Sequence, residues 1–101
     1  MSGNRGAVGQ IQGMNSSVEF TTYTYNIGSI PANAILTDSV TPTNKNYELV
    51  GAVGYTIIKS SGLVPFRIYV DEGTLNIGLK NISSNTIENK QMKITLMWQR
   101  A

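Results

Sequence analysis

The sequence predicts an all-β chain: a small antiparallel β-sandwich of about six to eight strands, preceded by an extended N-terminal arm. Three observations carry that prediction. Apolar residues alternate with a period of two along several short segments, as on strands with one buried face. Clusters of Gly, Pro, Asn and Asp punctuate those segments at short intervals. No segment carries the 3.6-residue apolar stripe of an amphipathic helix.

Residues 1–16 show neither pattern. Gly3, Gly6, Gly9 and Gly13 mark them as an arm, separate from a sandwich domain over 17–101. Triplets that begin at Gly3, Gly6 and Gly9 contain no proline, and the period breaks at Gly13, which speaks against a collagen-like stem. Val8, Ile11 and Met14 recur every third residue. With Arg5 they are the candidate residues for anchoring the arm to a partner.

The first strand region runs from Ser17 to Ile27. Val18 and Phe20 share one phase, whereas Tyr23, Tyr25 and Ile27 share the other, so a bulge or change of strand is expected near Thr21-Thr22. Residues 28–33 form a connection. Ala34 to Thr41 is a weaker strand. Asp38 interrupts the apolar phase of Ala34, Leu36 and Val40, which predicts an edge position. Pro42 to Asn46 is a turn.

The most apolar run is Leu49 to Ile58. Unbroken alternation puts Leu49, Gly51, Val53, Tyr55 and Ile57 on one face. Val50, Ala52, Gly54, Thr56 and Ile58 then take the other. Neither face is polar, so this segment is expected to be the central strand and to be covered on both sides. One cover is the domain's own second sheet. The other is a neighbouring subunit or the folded-back arm, which makes Val50, Ala52, Val53 and Tyr55 candidate oligomer-interface residues.

After a turn over 59–62, Val64 to Val70 alternates, with Phe66, Ile68 and Val70 expected on one side and Arg67 and Tyr69 on the other. Pro65 suits an edge strand. Asp71-Glu72-Gly73 is a tight hairpin connection in which Gly73 is free to take positive φ. Leu75, Ile77 and Leu79 share a phase in Thr74 to Asn81. A polar loop spans 82–89. The closing strand, Lys90 to Gln99, carries Met92, Ile94, Leu96 and Trp98 in one phase, so Trp98 is expected in the core.

Composition excludes much chemistry. There is no His and no Cys, which removes the usual general base, thiolate chemistry and the usual transition-metal ligands. Asp71 and Glu72 are adjacent at a hairpin tip, where solvated turn residues belong, and do not form a glycosidase pair. Gly51 and Gly54 do not open a helix, so they make no phosphate loop. No catalytic residue, metal or cofactor is expected, and the chain reads as a non-enzyme. The eight basic and six acidic residues leave a net charge of +2, and the basic ones are scattered, so no nucleic-acid partner is expected. There is no apolar leader, and the longest apolar run is about half of the ~20 residues a membrane helix needs. Folding in a reducing cytoplasm, without membrane insertion, is the expectation. The Asn15-Ser16-Ser17 and Asn81-Ile82-Ser83 glycosylation patterns then carry no meaning. Tyr23 and Tyr25 alternate with threonines and are the candidate surface aromatics for stacking on a glycan.

Several segments, taken in order, resemble a domain common in bacteriophage structural proteins, often the C-terminal part of fibre, spike or baseplate proteins. They are Ile30 to Asn33, Leu49 to Tyr55, Asp71 to Asn81, Ser83 to Ile87 and Met92 to Trp98. The resemblance covers Tyr25 to Arg100, about three quarters of the chain. It implies a β-sandwich, usually a trimer, without enzymatic activity. Standing almost alone behind a short arm, the chain resembles a capsid decoration or head-fibre protein more than a whole tail fibre. The expected setting is therefore the virion, in contact with capsid or tail proteins. The alternative is a receptor-binding tip of a tail fibre or baseplate that attaches to host surface glycans.

Overall fold

The structure, a computed structural model, describes residues 17–57 and 62–101. Arg5, Val8, Ile11 and Met14 lie outside the described residues, as do Ile58 and the turn residues that follow it.

Among the described residues six strands are formed and no helix: β1 (Val18–Ile27), β2 (Ile35–Val40), β3 (Tyr47–Ile57), β4 (Leu63–Asp71), β5 (Thr74–Asn81) and β6 (Lys90–Arg100). They make two antiparallel three-stranded sheets, ordered β1-β6-β3 and β2-β5-β4. This is the small β-sandwich that the alternation predicts.

The core is the facing pair of central strands. Met92, Ile94, Leu96 and Trp98 of β6 meet Leu75, Ile77 and Leu79 of β5, all essentially sealed from solvent. Each such side chain contributes roughly 1.5–3 kcal/mol of burial free energy. Tyr25 and Ile27 of β1, with Ile30 and Leu49, extend the core sideways. Trp98 is buried as expected, and its indole N–H donates to the Thr21 hydroxyl at 2.7 Å, which satisfies its one polar atom.

Ends and edges follow local chemistry. The Glu72-Gly73 connection between β4 and β5 has both residues at positive φ, 50° and 78°, as a two-residue primed turn requires. Asn81 closes the other end. Its amide donates to the Ile30 and Asn85 carbonyls, and its oxygen accepts from the Ser83 amide and hydroxyl. The 28–34 and 82–89 connections are thereby tied together, and Ile30 and Ile87 pair across them. β2 and β4 are edge strands, as Asp38 and Pro65 predict.

Three expectations are corrected. β1 has no bulge: it pairs with β6 without a break from Val18 to Ile27, and Val18 and Phe20 point outward. Their phase change is an apolar outer surface, not a switch of strand. Among the described residues β3 is an edge and β6 the centre of its sheet. Apolar faces report what covers a strand from above and below, not which backbones flank it. Finally, alternation is broken in two strands. β3 shifts register between Leu49 and Gly51 and again between Ala52 and Gly54, and β4 shifts between Pro65 and Arg67. Each extra residue displaces the following ones by half a pleat.

Candidate interaction surface

The bulges sort the side chains of β3. Leu49 and Ala52 pair with the inward-facing Trp98 and Leu96 and pack on the core. Gly51 and Gly54 pair with the outward-facing Met97 and Thr95. The inserted residues Val50 and Val53 lie outward with these glycines, and Val53 is 55% exposed. Tyr55 stands at the rim, 51% exposed. Of the four residues expected at an oligomer interface, Val50, Val53 and Tyr55 are therefore on the surface. Ala52 is not, because the bulge between Leu49 and Gly51 turns it inward.

The bulge in β4 does the same to Phe66. Ile68 and Val70 turn inward as expected, but Phe66 shares the outer face with Arg67 and Tyr69. Its ring covers Gly78, where a Cβ would come within 2.7 Å of it, and the Arg67 guanidinium lies 5.8 Å from the ring centre. Gly78 is the only β5 side-chain position at which an aromatic ring can lie this close to the sheet.

These strands adjoin. β3 and β4 are the same-side edges of the two sheets, and the opposite pair, β1 and β2, is linked by the Tyr25 hydroxyl, which donates to Asp38 at 2.8 Å. Among the described residues, six of the ten exposed large apolar side chains lie on β3 and β4: Val50, Val53, Tyr55, Val64, Phe66 and Tyr69. Scattered singly they would need no explanation, but gathered on two adjoining edge strands they mark candidate interaction surfaces. Glu48 borders the first flank. Arg67 and Lys80 border the second. None of the three has a charged partner among the described residues.

Tyr25 is buried and Tyr23 partly buried. Both face the core, and Tyr25 is 8% exposed. Burial first, and the Asp38 carboxylate second, hold its hydroxyl well above the ordinary tyrosine pKa. Alternation with threonine identifies a strand face but not which face is buried, and here the threonines are outside.

Two open hollows lie at the Glu72-Gly73 end. One, of about 440 Å³, is lined by Glu48, Val50, Val70, Asp71 and Glu72; the other, of about 460 Å³, runs from Thr41 to Trp98 past Tyr47. The carboxylates there are solvated. Among the described residues, no three acidic side chains are grouped to hold a metal ion. No helix among them is long and apolar enough to cross a membrane. Comparison with protein-family models, curated proteins and solved structures gives no match.

Proposed function

We propose that this chain is a non-enzymatic structural protein of a bacteriophage particle: an oligomeric β-sandwich, three copies together, displayed on the particle surface and fastened to it by residues 1–16. The observation that supports assembly is the apolar outer flank of β3 and β4, with Val53 and Phe66 each at least half exposed in the single chain. The order of segments from Ile30 to Trp98 supports the virion setting. The burial of Tyr25 and the partial burial of Tyr23 give no support to a glycan-stacking role for these two side chains.

Light scattering at micromolar concentration gives a trimer mass if the reading holds and a monomer mass if it fails. Val53→Asp separates interface from core: it yields a folded monomer, because the side chain points away from the core. Reconstruction of a particle that contains the protein then tests where it sits.

A further inference from the structure

The surface of the sandwich carries two different apolar flanks, not one. The β3 flank is Val50 and Val53 with Gly51 and Gly54. A Cβ at Gly54 would meet nothing within 4 Å, so this flank is a shallow trough open to solvent. The β4 flank is a ridge: Val64, Phe66 and Tyr69 stand out from it, with Phe66 and Tyr69 about half exposed. The two belong to the outer faces of different sheets and look away from one another, so a chain cannot close them on itself. Charge differs in the same way. Glu48 sits at the trough, and Arg67 and Lys80 at the ridge, none of them paired with an opposite charge among the described residues.

We propose that copies of this chain associate head to tail, the trough of one protomer receiving the Phe66–Tyr69 ridge of the next, with Glu48 of the first paired to Arg67 of the second. The proposal rests on the oligomeric reading above and names its interface. A two-fold contact of either flank with itself would set ridge on ridge or trough on trough, and would offer neither Glu48 nor Arg67 an opposite charge from the flank residues of the other copy. Head-to-tail contact matches both shape and charge. Strand addition edge to edge is not the mode, because bulges interrupt both edge strands. The contact is through side chains.

Charge exchange tests this. Glu48→Arg and Arg67→Glu should each weaken self-association by about tenfold or more, and the double exchange should restore it, because the pair is only reversed. Circular dichroism checks that each variant is folded. The chain has no cysteine, so cross-linking has no background. Val53→Cys with Phe66→Cys in one chain, treated with a short bis-maleimide, should give covalent oligomers, and each single variant only monomers. An oligomer that neither charge exchange weakens, or one that a single cysteine cross-links into dimers, overturns the head-to-tail interface and leaves the oligomer standing. A wild-type monomer overturns the reading beneath it.

Discussion

The Tyr25 hydroxyl donates a 2.8 Å hydrogen bond to Asp38 across the gap between β1 and β2, on the side of the sandwich away from the exposed flanks. Burial and the neighbouring carboxylate both favour the protonated phenol in the folded chain and raise its pKa. The unfolded chain loses that proton first, near pH 10. The stabilisation is therefore complete below about pH 10 and is lost as the pH climbs from there toward the folded-state value. Urea denaturation between pH 8 and 11 should show this fall in the wild type and a flatter one in Tyr25→Phe. At neutral pH the variant should cost about 1 kcal/mol, since Asp38 is exposed and water replaces its lost donor. Equal alkaline slopes in the two proteins would contradict the assignment.

Asn81 is a fully buried polar side chain whose amide and oxygen join two connections. Asn81→Ala removes donors from buried carbonyls and an acceptor from Ser83, and should cost roughly 3 kcal/mol. The loss should be local first. Hydrogen exchange should accelerate at the Ile30 and Ile87 amides, which bond each other's carbonyls at 2.9 and 3.0 Å, before it does in β6. A loss below about 1 kcal/mol would mean that water substitutes freely for the side chain.

Gly78→Ala probes the ridge from beneath. The new methyl would lie 2.7 Å from the Phe66 ring and 3.0 Å from the Arg67 Cβ. The ring can swing into solvent, but the Arg67 Cβ is held by the backbone. A cost of about 1–2 kcal/mol is expected, with Phe66 displaced from its seat. Thermal unfolding gives the first, and Phe66 ring shifts in an NMR spectrum give the second. Unchanged ring shifts would show that Phe66 does not rest on Gly78.

Strict alternation was legible wherever pairing is regular. Leu75, Ile77, Leu79 and the Met92-to-Trp98 series were readable as core because β5 and β6 pair with β2 and β1 without a shift in register. The β3 and β4 flanks were half legible. Their apolar content marked them, but which residues face outward depends on where the extra residues sit, and β-branched and aromatic residues fit either side of a bulge. Ala52 and Val53 change face at the insertion after Leu49, and Phe66 at the one after Pro65. Phe20 was misread for the converse reason: an exposed apolar residue on a regular strand imitates a change of phase. That Glu48 and Arg67 lie on the outer faces of different sheets was not legible at all, because it depends on the sheet order and on the bulges.

The β4–β5 turn offers a gain in stability. Among the described residues, four that are not glycine have positive φ: Asn33, Asn46, Glu72 and Asn89. Asparagine fills three of these sites because its short amide tolerates the left-handed region. Glu72, at φ 50°, is the exception, and it occupies the first position of a turn that favours Asn-Gly. Its carboxylate is exposed and makes no hydrogen bond or ion pair within the described residues, so nothing offsets the backbone strain. Glu72→Asn should therefore stabilise the domain by about 0.5–1 kcal/mol, a rise of roughly 2–8 °C in melting temperature for a domain of this size. Gly73→Ala, at φ 78°, should lower it by a similar amount. Paired melting curves of the two variants decide the matter: movement in opposite directions confirms a primed turn, and a lower melting point for Glu72→Asn would show that Glu72 holds a partner that the turn geometry does not account for.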